Sequence, residues 1–311
     1  MAFYSQDPAM DQSLATVLAE LAAEGRPGLG ERLSITWLQY PESLRRQAER
    51  FGPEAFWQQQ PAGTAWGGER LRYPASVVKL IYLAAAEAWL QRRLLEEGPE
   101  LRRALADMIR HSGNDATSLV VDLLSGTVSG PALPPARREV WEQQRQLVNH
   151  WLDGLGWPEL QGCNACQKTW AEGPYGRDAH FHGPDRQNRN RLSSDAIARV
   201  LHAVIGGAMV SPPACARMRD LLVRSLARAE RAVDPENQVD GFLGGGLPET
   251  ARLWSKAGWM SQARHDAAYV EAEGHRPMLL VVLGEGPACA RDEHLLPRLA
   301  KELLARGRIS D

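Results

Sequence analysis

Tyr73-Pro74-Ala75-Ser76-Val77-Val78-Lys79, continuing into Leu80-Ile81-Tyr82-Leu83-Ala84-Ala85-Ala86, decides the reading of this chain. Pro74 suits a helix entry, where its missing N–H costs nothing. The apolar run behind it predicts a long helix from Val77 to Leu95. Ser76 and Lys79 stand three residues apart and therefore on one helix face. A serine hydroxyl is a poor nucleophile until a neighbour takes its proton. A lysine in apolar surroundings has a lowered pKa and suits that task. The helix N-terminus adds positive potential, and the Ser76 N–H is a candidate oxyanion donor. Taken alone, the pattern equally fits a capping serine and a snorkelling lysine.

Two further short stretches alter that balance. Ser112-Gly113-Asn114 follows Ser76 by 36 residues and sits in a break between two predicted helices. A serine there can pass a proton to a leaving nitrogen, and an asparagine can hold a substrate amide; the plain alternative is a helix N-cap. Lys256-Ala257-Gly258 lies within Leu253-Trp254-Ser255-Lys256-Ala257-Gly258-Trp259, a predicted strand. Lys256 would face the cleft, Gly258 would let a substrate approach the backbone, and the Trp259 N–H would be a second oxyanion donor. The plain alternative is a surface lysine beside a bulge glycine. Each signal is weak singly; their order and context together are specific.

The surrounding pattern organises the chain. Leu14, Val17, Leu18 and Leu21 predict an amphipathic helix over 11–24, and Leu33 to Tyr40 a strand ended by Pro41. Thr64 to Arg72 is a second strand candidate. Helices are expected over 99–110, from Asn114-Asp115 through Leu124, over 137–154, from Ser193-Ser194-Asp195 to Ile205, and from Pro212-Pro213 to Leu226. Strands are expected over Leu253–Met260, Ala267–Ala272 and Met278–Leu283, with a closing helix from Asp292-Glu293 to Ala305. Residues 157–192 carry little periodicity, which in a compact domain marks a functional or mobile stretch. The order predicts an α/β (α+β) fold: a mostly antiparallel sheet built from both chain ends, with a helical lobe inserted. An α/β lobe is expected over 1–72 and 207–311, a helical lobe over 73–206, and the active site between them.

Composition narrows the function. The 311 residues are 44% hydrophobic and 24% charged, and 36 Lys plus Arg face 38 Asp plus Glu for a formal net charge of −2. There is no basic footprint of a nucleic-acid binder and no run of 18 apolar residues. The expected partner is a small-molecule or peptide substrate. The N-terminus shows no basic n-region or apolar signal run, so the expected location is cytoplasmic, or periplasmic if an export signal has been trimmed away. Cys163-Asn164-Ala165-Cys166 is a lone C-x-x-C. A zinc site would need about four ligands, which His180 and His182 complete only on paper. Plain structural cysteines are the expectation, with no metal and no cofactor.

The set S-x-x-K, S-D-N and K-T-G marks class A β-lactamases and penicillin-binding proteins, and the chain resembles that family over about residues 31–305. Leu192-Ser193-Ser194-Asp195 resembles the Thr-rich cap after the family's Ω-loop. Arg264-His265-Asp266-Ala267-Ala268 resembles the strand after its third motif. The resemblance implies a β-lactamase/transpeptidase-like fold, an acyl-enzyme through Ser76, and Lys256 and Arg264 as binders of a substrate carboxylate. Within the family the chain looks most similar to serine hydrolases related to class A β-lactamases.

Three departures bear on mechanism. Gly113 replaces the Asp of the second motif. Ala257 replaces the hydroxyl residue of the third, losing a hydrogen bond worth about 1–3 kcal/mol to a charged partner. Trp170-Ala171-Glu172 is the nearest match to the family's Ω-loop glutamate, so Glu172 is either the deacylation base or an ordinary loop residue. Ser118 stands where the family has a supporting Asn. The expected function is a serine hydrolase acting on β-lactams or related amides and esters, with slow deacylation. The alternatives are a D-amino-acid peptidase or esterase of the same fold, a non-catalytic binding protein, and a metal- or redox-linked protein using Cys163 and Cys166.

Overall fold

The computed structural model describes residues 3–170 and 172–309. Its sheet contains β1 Ser5–Gln6, β2 Leu33–Gln39, β3 Ala62–Trp66, β4 Val223–Arg224, β5 Arg252–Met260, β6 Ala263–Glu271 and β7 Met278–Glu285, in the order β1-β3-β2-β7-β6-β5-β4. Every pairing is antiparallel except β1 with β3. The chain thus leaves the sheet after β3 and returns at β4, as the predicted α/β sheet with inserted helices required.

The strand β7 shows why this sheet must be covered on both sides. Its residues are almost all apolar and buried. Leu279, Val281 and Leu283 point into a core shared with the helices Lys79–Gln91 and Ser194–Gly206. Met278, Leu280 and Val282 point into a second core with the terminal helices Pro8–Ala23 and Leu295–Arg306. A strand buried on both faces reads as a continuous apolar run, since alternate side chains meet different layers.

Several expected boundaries change. The proposed strand to Arg72 stops at Trp66, because Gly67 adopts φ 57° and turns the chain; Arg72 then forms only an isolated bridge to Leu192. The helix expected from Val77 to Leu95 begins as the 3₁₀ turn Ala75–Val78 and ends at Gln91. The helix expected over 137–154 is two helices, Pro135–Arg145 and Leu147–Gly154. The helix from Pro212 ends at Leu222, where the chain enters β4. The closing helix starts at Leu295, after a short helix Pro287–Arg291. A helix not expected from the sequence, Leu44–Gln58, is broken by Gly52-Pro53, which masks its periodicity. The 157–192 segment contains the short helix Gly176–His182. No helix among the described residues is long and apolar enough to cross a membrane.

Candidate active site

Ser76 sits half-buried in the turn Ala75–Val78, and the Lys79 side chain is wholly buried beneath it. Ala75 adopts φ 45° and Ser112 φ 56°. Left-handed backbone at non-glycine residues costs about 1–3 kcal/mol and clusters at functional sites; here it brackets both candidate serines.

Lys79 and Lys256 converge on Ser112. The Lys79 ammonium donates to the Ser112 carbonyl, to Ser112 Oγ at 3.2 Å and to Asn114 Oδ1 at 2.9 Å. Lys256 donates to the same Ser112 Oγ at 3.0 Å, to Gln238 Oε1 at 2.6 Å and to its neighbour's carbonyl, Ala257 O, at 2.6 Å. Burial lowers the Lys79 pKa to about 7, with Asp107 opposing the shift. Burial also pushes Lys256 well down, helped by the Lys79 and Arg224 charges and opposed by Asp266. Asp266 is raised to about 7 by burial and drawn back partly by a backbone N–H and then by those cations. The result is a hydroxyl held between two amines, one of which titrates near neutrality. That arrangement can take a proton from one oxygen and deliver it to another group.

Gly258 is where β5 and the Ser76 turn touch. A Cβ there would lie 3.0 Å from the backbone nitrogens of both Ser76 and Val77 and 3.1 Å from Pro74 O. β4 pairs with Leu253 and Trp254, so among the described residues the outer edge of β5 from Ser255 onward has no strand partner. An unpaired edge beside Ser76 offers backbone groups to an extended substrate.

Not every expected side chain joins this cluster. Trp259 and Arg264 pair across β5 and β6 on the pleat opposite Gly258. Arg264 donates to Ala290 O at 3.0 Å and Gly241 O at 3.2 Å, and the Trp259 indole also ends on Ala290 O. The guanidinium is thus engaged by main-chain carbonyls and by the Glu293 carboxylate at 3.5 Å. Glu172 is exposed, and the hydrogen bonds of Lys79 go to Ser112 and Asn114 instead. The residue of this loop that reaches the cluster is Thr169, whose hydroxyl donates to Asn114 Oδ1 at 2.8 Å. Ser118 Oγ is buried with no hydrogen-bond partner among the described residues. Cys163 and Cys166 are free thiols bonded to different carbonyls, Glu159 O and Asn188 O. Burial raises their pKa values to about 11 and about 12. Among the described residues no group of three or more His, Cys, Asp or Glu is placed to hold a metal.

Three participants escaped the sequence. Gln238 and Thr169 lie in polar stretches without periodicity. Asp107 lies on the helix Pro99–Arg110, and a Cβ on Gly113 would clash with its Oδ2. The space that an aspartate side chain would claim at position 113 therefore already contains a carboxylate from the preceding helix. Gly113→Asp should lower the melting temperature, by like-charge crowding and steric clash, and Asp107→Ala in the same chain should restore it. Thermal unfolding of the two single variants and the double variant checks this coupling.

The comparisons with known proteins follow this geometry. The Beta-lactamase enzyme family matches residues 89–306, a span that contains Ser112, Asn114 and Lys256 to Gly258 and begins after Ser76 and Lys79. No curated protein sequence matches the chain. Among solved structures, a β-lactamase from Sphaerobacter thermophilus superposes with a TM-score of 0.61 at 16% identity, covering 94% of this chain and 95% of that one. A β-lactamase from Xanthomonas campestris gives 0.62 at 16%, covering 95% and 98%. A variant of PBP-A, in acyl-enzyme complex with penicillin-G, gives 0.62 at 15%, covering 97% of each chain. At these identities the structures establish a shared fold. The family match, spanning well over half of the residues, establishes more: this chain belongs to the Beta-lactamase enzyme family, and is a serine hydrolase of that general kind.

Proposed function

We propose that the protein forms an acyl-enzyme through Ser76 with a β-lactam or a related amide or ester. The observation that carries this reading is the convergence of Lys79 and Lys256 on Ser112 Oγ, beside the Ser76 turn and against Gly258. Neutral Lys79 takes the Ser76 proton as Oγ attacks the carbonyl carbon. The C–O bond forms, and collapse of the tetrahedral adduct breaks the C–N bond. The proton passes from Lys79 through Ser112 to the leaving nitrogen. Backbone N–H groups at Ser76 and Trp259 are the proposed oxyanion donors, and Asn114 the proposed holder of the substrate amide. Water then attacks the acyl ester and releases the acid.

That last step is proposed to be slow for β-lactams. A deacylating water needs a positioned base, and the groups that Lys79 bonds to are a hydroxyl, a carbonyl and an amide. Intact-protein mass spectrometry after mixing with a fluorescent penicillin should show a stable adduct that Ser76→Ala abolishes. Rapid multiple turnover that survives Glu172→Gln would show that another base operates. No adduct and no turnover would favour a peptidase or esterase substrate, or a binding role.

A further inference from the structure

Beside the Ser76 turn the structure contains a cavity of about 350 Å³. Tyr73, three residues before Ser76, forms one wall, and Met260, two residues after Gly258, another. Gln167, Lys168 and Trp170 also line the cavity, and Thr169 between them connects this segment to the site through its bond to Asn114. That segment is held by Asn190, which also lines the cavity. The buried Asn190 amide accepts from the Cys166 and Gln167 N–H groups at 3.0 and 2.9 Å and donates to Gln167 O at 3.0 Å.

The lining is rich in donors that lack acceptors. The Gln167 Nε2 and Trp170 Nε1 atoms are buried without a hydrogen-bond partner among the described residues. Arg189 lies over the Tyr73 ring with its guanidinium carbon 3.9 Å from the centroid. Neither Arg189 nor Arg186 forms an ion pair among the described residues. His182 is held below its ordinary pKa, first by burial, then by the charges of Arg189 and Arg186. Lys168 is different: Asp122 neutralises it at 2.6 Å. Glu172 is the one carboxylate in the described lining, and it is exposed. Orphaned buried donors and unpaired guanidiniums call for an acceptor-rich, negatively charged group.

We propose that this cavity is a substrate subsite selective for an acyl portion that carries its own carboxylate, held by Arg186, Arg189, Gln167 and Trp170. The inference rests on the acyl-enzyme reading for its place in the reaction, and it names the substrate class: anionic acyl groups rather than neutral ones.

Carbenicillin and benzylpenicillin differ by one carboxylate on the acyl side chain and so test the subsite directly. The second-order rate of Ser76 acylation should favour carbenicillin by about tenfold, the scale of one charge-assisted hydrogen bond. In Arg186→Ala/Arg189→Ala the ratio of the two rates should fall to about one, and in Glu172→Gln it should rise. Equal rates in the unmodified protein, or a preference that survives the double substitution, overturn the proposal. If neither penicillin acylates Ser76, the acyl-enzyme reading fails on β-lactams while the subsite remains testable. Calorimetry on Ser76→Ala should then show phenylmalonate binding at least about tenfold more tightly than phenylacetate, with the difference lost in the arginine double variant. Equal affinities would overturn the subsite by itself.

Discussion

Replacing Lys79 by alanine should slow acylation of Ser76 by about 10²- to 10⁴-fold, the range that a positioned general base contributes. Lys79 is wholly buried and its amine titrates near 7, so at neutral pH a large share is unprotonated and able to accept the serine proton. In the unmodified protein the acylation rate should rise with pH through about 7 and level off above it. The variant should lose that rise as well as the rate. Stopped-flow acylation between pH 5 and 9 measures both; a variant that keeps the pH profile would assign the base to another group. The same shift has a signed consequence for stability. The unfolded lysine binds a proton up to its ordinary value of 10.5, whereas the folded one releases it near 7. Between those values the unfolded state holds more protons, so folding stability should rise with pH. The penalty for burying the cation is complete below about 7. Lys79→Met should flatten this slope in urea titrations at pH 7 and pH 9.

Arg145→Ala should destabilise the fold by about 3–5 kcal/mol, the cost of breaking one side of a buried ion pair. Arg145 is 1% exposed and donates to Asp178 at 2.5 Å, a carboxylate equally buried, and lies 3.3 Å from Asp122. Asp122 in turn holds Lys168. This chain of charges ties the helix Pro135–Arg145 to the helix Gly176–His182 and to the segment bearing Thr169. Without Arg145, Asp178 keeps its burial and loses its cation. Urea unfolding should show the loss, and limited proteolysis should cut within residues 167–190 earlier than in the unmodified protein. Replacing both partners, as Arg145→Met with Asp178→Leu, should recover much of the stability, because no buried charge is left unpaired. A loss below about 1 kcal/mol for Arg145→Ala alone would mean that this network does not hold the segment.

The chemistry-bearing motifs were legible because each is short and sits at a predictable place in secondary structure. Ser76 to Lys79 is a helix entry, Ser112 to Asn114 a helix break, and Lys256 to Gly258 part of a strand. The strand β7 was legible from its β-branched and apolar composition, and β5 from its apolar and aromatic residues. The helix Leu44–Gln58 was not, because Gly52 with φ 74° interrupts its periodicity. The 157–192 segment offered no period at all: it is held by side chains, Asn190 and Arg145 among them, whose partners lie tens of residues away.

By itself the sequence determined the α/β architecture and singled out Ser76, Lys79 and Lys256 as candidates, since these follow from local spacing and from the apolar pattern of single elements. Tertiary structure alone decided which side chains surround them. Gln238 reaches Lys256, Thr169 reaches Asn114, and the Asp107 carboxylate lies in the space a side chain at Gly113 would need, while Arg264 bonds to Ala290 O and Glu172 stays exposed in the lining of the neighbouring cavity. Those outcomes depend on how distant segments pack and on which pleat of a strand a residue occupies. Burial then lowers the Lys79 pKa toward neutrality, an effect set by the completed core and by no residue's neighbours in the chain.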